Sequence, residues 1–286
     1  MSKLPKINEL LSPDKIEEDF FLFPSWDLGF RALYGGQVMA QALSAAQQTV
    51  EAPFVVHSLH CYFLLPGDAK LPVFCQVERV RDGRSFATRR VKAIQKGNII
   101  FDCMCSFQLP ENGFNHQTPK MPKVPGPESL NNDIEKYESP SMQVSEKLKT
   151  AIPFHKPIEI RSVKSDEDSA QQFVWMRLRE HSEVEDKLPF HQRALCYASD
   201  YYFLMSAVRK HGLSPSDSNL RLATIDHAIW FHRGFDFNDW VLYVSESPTS
   251  ASGRAYVRGQ LFSSNGDLIA STTQEGLLRL KQETKK

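Results

Sequence analysis

The chain has 286 residues, 41% of them hydrophobic and 24% charged, with 34 basic residues balancing 34 acidic ones. That length and composition suit one large core or two ordinary ones. The zero net charge removes any general electrostatic drive toward nucleic acid or an anionic membrane surface. No apolar run reaches the roughly 18 residues that a membrane span requires.

The first residues, Met1 to Glu9, lack the apolar core of a secretory leader, and the chain ends in Lys285-Lys286 rather than the Ser-Lys-Leu peroxisomal address. Cysteines fall at 61, 75, 103, 105 and 196, an odd set without CxxC spacing. They read as reduced thiols in a cytoplasmic setting, and neither zinc nor another cofactor is expected.

In chain order, the first strong pattern is amphipathic. From Gly35 to Val50, Val38, Met39, Ala42, Leu43 and Ala46 form an apolar stripe, and Gln37, Gln41, Ser44 and Gln48 line the other face. The spacing predicts a helix entered through Gly35-Gly36. Strand-like segments follow at 55–65, 72–80, 85–95 and 99–109, with Lys96-Gly97-Asn98 supplying a hairpin turn.

Proline then interrupts. Eight of the 17 prolines fall between 110 and 157, and Met121-Pro-Lys-Val-Pro-Gly-Pro127 can be neither helix nor central strand. This reads as an extended linker, with one short polar helix expected at 141–151. Beyond it the pattern repeats: a strand at 172–179, a helix at about 190–207, and strands at 222–232, 240–247, 253–262 and 267–280. His60 matches His227, Gly67 matches Gly234 and Ser85 matches Ser252, each at an offset of 167.

Such an internal repeat governs the fold. The expectation is α+β, with two tandem copies of a sheet wrapped around one helix and packed as a pseudo-dimer: an N-terminal repeat over 1–115, a linker over 116–157 and a C-terminal repeat over 158–286.

Asp200 is the most informative single residue. On the predicted second helix its neighbours three and four positions away are Tyr197, Cys196, Phe203 and Leu204. The carboxylate therefore points with the apolar stripe into the protein. Burial there must be offset by hydrogen bonds, and it raises the proton affinity. Shifted carboxylates of this kind cluster at functional sites, and a structural role is the competing reading.

Several segments together resemble the type II acyl-CoA thioesterases, a double hot-dog family. They are Asp27–Leu43, His57–Asp68 and Arg81–Val91 in the first half, and Ala198-Ser-Asp200, Leu222–Arg233 and Ala270–Gly276 in the second. The resemblance implies hydrolysis of fatty acyl-CoA to a free fatty acid and coenzyme A, by a water held between an Asp, a Thr or Ser, and a Gln. By motif these are Asp200, Thr224 and Gln274.

The chemistry of the residues agrees. Asp200 can accept the water's proton, Thr224 and Gln274 combine donor and acceptor capacity, and a positioned water plus a proton acceptor is what thioester hydrolysis needs. Gly35 and Gly36 at the first helix, and Arg84 and Arg89 in the densest basic run, are further substrate-binding candidates. For the arginines a solvated strand face is the plainer reading.

Trp175, Trp230, Phe231 and Trp240 suit either an acyl tunnel or ordinary core. By offset the first half carries His57 for Thr224 and Phe107 for Gln274, so one active site per chain is expected, in the second half. There is no GxSxG elbow, and Cys196 reads as core rather than nucleophile. The four strand histidines read as packing residues, with His57 and His60, like His227 and His232, on opposite faces. A hydratase or dehydratase working through His227, or a non-catalytic acyl-CoA-binding module, are the alternative functions. Homodimerisation or higher self-association is compatible with such a repeat.

Overall fold

The computed structural model describes residues 6–28, 30–133, 157–164, 169–184, 187–201, 203–214, 217 and 219–281. The helix expected at 141–151 lies outside them. In the first half, α1 (Ile7–Leu11), β1 (Asp14–Glu17) and β2 (Phe20–Phe23) precede α2 (Gly35–Gln47), which is followed by β3 (Val55–Phe63), β4 (Val73–Asp82), β5 (Phe86–Gln95) and β6 (Asn98–Gln108). In the second, β7 (Ile158–Ser162) and β8 (Gln171–Leu178) precede α3 (Lys187–Ser199) and α4 (Met205–Lys210). Then come β9 (Leu220–Thr224), β10 (Asp226–Phe231), β11 (Val241–Ala251), β12 (Arg254–Ser263) and β13 (Leu268–Leu280).

All thirteen described strands join one antiparallel sheet, in the order β1-β2-β4-β5-β6-β3-β10-β13-β12-β11-β8-β7, with β9 also on β13. The order reads the same outward from its middle: β3, β6, β5, β4, β2 on one side and β10, β13, β12, β11, β8 on the other. The two halves meet edge to edge, His227 opposite Cys61 and Ala228 opposite His60. Lys96 (φ 51°) and Gly97 (φ 76°) close the β5–β6 hairpin with two left-handed residues, the geometry that matches strand twist.

The helices lie against one face of this sheet, and their neighbours settle which residues are interior. Helix α2 is buried on every side, the expected polar face included. Gln41 donates to Leu10 O and Pro24 O, and Ser44 donates to Leu11 O. The N-terminal segment thus takes up the Gln41 and Ser44 donors that would otherwise need water, while Gln41 Oε1 is buried without a partner among the described residues. α2 and α3 pack antiparallel: Gln47 at the end of α2 donates to Pro189 O near the start of α3, and Gly36 at the start of α2 meets the end of α3.

The proline-rich segment is extended as expected, with a 3-10 turn at Pro127–Ser129. It is not a free tether up to that point. Met121, Val124 and Leu130 cover Trp175, Trp240, Leu242 and Phe262 on the sheet face opposite the helices. Trp175 Nε1 donates to Pro125 O at 3.0 Å.

The repeat is real, but its register differs by one from the sequence match. The buried positions of β5 and β12 line up at an offset of 168, which sets Arg89 against Val257. Arg89 faces Cys105 and Val257 faces Gln274. A one-residue slip reverses every side chain's face, so His60 is exposed where its match at 167, His227, is buried. The first-half counterparts of Thr224, His227 and Gln274 are therefore Val56, Leu59 and Cys105 rather than residues found at 167. The slip also corrects the placing of His57. It shares the outer face with His60, bonding Ser106, because the β3–β6 register shifts between Val56 and Ser58.

Candidate active site

Helix α3 stops at Ser199, so Asp200 is the residue after the helix rather than part of a helix continuing to 207. A helix leaves its last four carbonyls without intrahelical partners, and here each of the four finds a donor. Ser199 Oγ donates to Cys196 O (2.8 Å), Tyr34 Oη to Tyr197 O (2.9 Å), the Tyr201 amide to Ala198 O (3.0 Å) and Tyr243 Oη to Ser199 O (3.0 Å). These competing donors end the helix within an apolar run that contains no glycine or proline. Tyr34 and Tyr201 stack with ring centroids 4.6 Å apart and hold the corner.

Released from the helix, Asp200 turns to the start of α2. Gly36 N–H donates to Asp200 Oδ2 at 3.0 Å. The N-cap of α2, Tyr34, offers no side-chain cap, so Asp200 caps that helix from the other half of the chain, at its positive end. The approach is close. A Cβ on Gly35 would lie 2.7 Å from Asp200 Oδ2, and one on Gly36 would lie 2.3 Å from Tyr197 O. Gly35 and Gly36, expected at a substrate contact, are thus required first for helix-to-helix contact.

On the other side, Thr224 Oγ1 donates to Asp200 Oδ1 at 3.3 Å, and Gln274 Nε2 donates to Thr224 Oγ1 at 2.7 Å. Thr224 and His227 are three residues apart, a spacing that points to opposite faces of a regular strand. Both turn inward because the ladder on β13 slips at Ile225: Thr224 is opposite Gly276, whereas Ala228 is opposite Thr273. His227 then reaches Gln274 Oε1 through Nδ1 at 2.9 Å and Ser199 Oγ through Nε2 at 3.1 Å.

Gln274 and His227 are fully buried, while Asp200 and Thr224 are half-buried and remain accessible from one side. Burial pushes the Asp200 carboxyl up from 3.8 to about 7, against the opposing pull of the Gly36 amide and the Thr224 and Gln274 side chains. Burial lowers His227 to about 4, so its ring is neutral near pH 7.

Other candidates separate from this cluster. Arg89 is 1% exposed, and its donors go to Thr49 Oγ1, Thr49 O, Arg81 O, Thr88 O and Asp82. It fills the interior at the far end of α2 and presents nothing to a coenzyme phosphate, which corrects that expectation. Arg84 stays exposed in the β4–β5 turn, also at that far end, one helix length of about 20 Å from Gly36.

Trp175 and Trp240 lie beneath the proline-rich segment, and Trp230 meets His60 edge-on at 4.9 Å on the outer face. None of the three lines the cluster. Cys196 is buried with its thiol pKa raised well above the ordinary value by desolvation, which removes it as a nucleophile. His227 has both nitrogens engaged and none left for a substrate. Among the described residues no group of His, Cys, Asp and Glu could hold a metal ion, and no helix is long and apolar enough to cross a membrane.

The sequence does not mark Ser199 as a member of the site, and it marks His227 only as a packing residue or as the working residue of the alternative hydratase or dehydratase. A signal existed: His227 alternates with Ile229 and Phe231, which places a histidine on the apolar face of its strand.

Comparison with known proteins fixes the family. The acyl-CoA thioesterase profile matches residues 143–277, and the profile for the acyl-CoA thioesterase N-terminal domain matches 23–108. Acyl-CoA thioesterase 2 of Haemophilus influenzae is 39% identical over 98% of this chain and 99% of its own. The chain belongs to the acyl-CoA thioesterase family. Human acyl-coenzyme A thioesterase 8 is 36% identical to this thioesterase, over 97% of this chain and 90% of its own. The crystal structure of the acyl-CoA thioesterase II TesB2 from Mycobacterium marinum superposes with a TM-score of 0.79 at 36% identity, covering 96% of this chain and 99% of that one. A protein of Alicyclobacillus acidocaldarius whose crystal structure is described as a hot dog fold superposes with a TM-score of 0.75 at 18% identity, over 95% of this chain and 97% of that one, and the two-fold repeat of the sheet makes the architecture here a double hot-dog.

Proposed function

We propose that this thioesterase hydrolyses fatty acyl-CoA with Asp200 as general base, at one site per chain, without a covalent acyl-enzyme. The observation that carries the reading is the Asp200 carboxylate, half-buried, raised to about 7 by burial and bonded to Thr224. A base poised near working pH combines a useful ionised fraction with a strong pull on a proton.

A water on Asp200 and Thr224 loses its proton to the carboxylate as its oxygen attacks the thioester carbon. The tetrahedral intermediate collapses with cleavage of the C–S bond, and the proton held by Asp200 passes to the departing thiolate. The products are a carboxylic acid and coenzyme A. Gln274 orients Thr224 and thereby the water. The first half supplies the Gly36 amide but no second site, since Val56, Leu59 and Cys105 stand at the equivalent positions. Phe30, packed on Tyr34, and Leu64 and Leu65, which follow Phe63, are exposed apolar side chains that suit contact with an acyl chain.

A reducing, cytoplasmic compartment fits the five cysteines, all free and buried. Self-association belongs to the same proposal, and its check is a sedimentation mass above the 32.6 kDa of one chain.

The direct test is release of free thiol from a chain-length series of acyl-CoAs. Asp200→Asn is expected to lower kcat by more than about a hundredfold, the scale at which a general base contributes. Full activity in that variant removes Asp200 as the base.

A further inference from the structure

Five side chains form a single chain of hydrogen bonds: Ser199, His227, Gln274, Thr224 and Asp200. Its direction is set by counting hydrogens. An ionised Asp200 accepts only, so Thr224 must spend its one hydroxyl hydrogen on Oδ1. Thr224 Oγ1 then accepts from Gln274 Nε2, which turns Gln274 Oε1 toward His227. That oxygen requires a hydrogen on His227 Nδ1. A neutral ring carries one N–H, so Nε2 is left as an acceptor facing Ser199 Oγ, whose hydrogen is shared between His227 Nε2 and Cys196 O at 2.8 Å.

The other tautomer runs the chain backwards. With the hydrogen on Nε2, Gln274 must flip to donate to Nδ1, Thr224 must donate to Gln274 Oε1, and Asp200 can bond Thr224 only as a protonated acid. Such an Asp200 is no base.

We propose that His227 is a positioning residue for hydrolysis. By donating from Nδ1 to Gln274 it fixes the amide's orientation and reserves the Thr224 hydrogen for the Asp200 carboxylate. The inference rests on Asp200 being the base. His227 is fully buried at 1% exposure, packed beside Phe203 and anchored by its carbonyl to Cys61 Sγ, and among the described residues its ring bonds Gln274 and Ser199.

Two near-isosteric variants separate this role from mere packing. In His227→Asn the side-chain amide places a donor where Nδ1–H was; in His227→Leu nothing donates. His227→Leu is expected to lose about 10- to 100-fold in kcat, the same scale as removing the group that orients a metal ligand, with KM within about threefold. His227→Asn is expected to stay within about fivefold of the parent kcat.

The acid limb of the rate profile gives a second readout. Loss of an oriented Thr224 donor removes a bond to the charged form, so the midpoint in His227→Leu moves to higher pH. The titratable groups facing Asp200 are Tyr34 ahead of α2, Cys61 on β3, Cys196 on α3 and Tyr243 on β11, each raised by burial and uncharged through neutral pH. With His227 also neutral there, the limb belongs to Asp200.

A third readout needs no variant: nitrogen NMR of the histidine-labelled protein near pH 7.5 is expected to show His227 neutral with the hydrogen on Nδ1. Equal losses in the Asn and Leu variants, an unchanged acid midpoint in His227→Leu, or the Nε2–H tautomer in the parent protein would each overturn the proposal. Failure of the base assignment itself reads separately, as retained activity in Asp200→Asn.

Discussion

Replacing Asp200 by asparagine is expected to change the sign of its effect on stability with pH. In the folded chain the carboxyl titrates near 7, against 3.8 for an unstrained aspartate. Between those values the folded state holds a proton that the unfolded chain releases. Wild-type stability therefore falls as pH rises through this window, and the deficit is complete above about 7. At about 1.4 kcal/mol per pKa unit the full gap is worth about 4 kcal/mol, and screening by water on the open side of this half-buried group reduces it to roughly 2 kcal/mol. Asparagine removes the charge but keeps one acceptor oxygen for two donors, so either the Gly36 amide or the Thr224 hydroxyl is left facing an NH2, a loss of about 1 kcal/mol. The variant should be more stable than the parent by about 1 kcal/mol at pH 8 and less stable by about 1 kcal/mol at pH 4, where the parent carboxyl is already neutral. Urea unfolding of both proteins across pH 4 to 8 measures this directly, because every other titrating group is common to the pair. A difference that stays constant over that range refutes the burial argument, whatever happens to activity.

The same carboxylate sets the acid side of catalysis: kcat/KM should fall about tenfold per pH unit below about 7 as the base is protonated, and a profile flat down to pH 5 contradicts this. Gly36→Ala should unfold at least about 2 kcal/mol more easily and lose most of its activity. Its methyl would sit 2.3 Å from Tyr197 O, a backbone atom that cannot move without parting α2 from α3; thermal melts and thiol release report both effects. Thr224→Ser should keep most of kcat, since the hydroxyl remains, whereas Thr224→Ala should lose about tenfold or more in the same assay. Arg89→Met should destabilise by about 3 kcal/mol, because the carbonyls of Thr49, Arg81 and Thr88 lose their buried partner, with kcat per folded molecule unchanged. A raised KM for acyl-CoA without loss of stability would instead return Arg89 to the substrate.

Long periodic elements were legible before any coordinates. The 3.6-residue stripe over 35–50 and the alternating runs of β4, β5, β12 and β13 appear within a few residues of their expected bounds, because the strands set one face on the core and the helix is long enough to show its period even though it is buried all round. The segment α1-β1-β2 was not legible, since five- and four-residue pieces carry too little periodicity. The end of α3 was invisible for a different reason. It is set by hydroxyls from Tyr34 and Tyr243, far away in sequence, rather than by a local breaker. The same distance explains Arg89: a basic run on a strand looks solvated until the end of α2 is seen to lie beneath it. Asp200, Thr224 and Gln274 were reachable as a set through family resemblance. The slip at Ile225, which lets Thr224 and His227 face the same way, leaves no trace in composition.

The bond from Gly36 to Asp200 crosses from one repeat to the other, and that has a consequence for how such a chain can be divided. On the proposed assignment neither repeat holds the whole reaction centre, so a cut within the proline-rich stretch is expected to yield two fragments that are each inert. Their mixture would regain turnover only to the extent that β3 and β10 zip together. On that assignment, covalent fusion keeps the Gly36 cap and Asp200 at a fixed high local concentration, and the first repeat carries Val56, Leu59 and Cys105 where the second carries Thr224, His227 and Gln274.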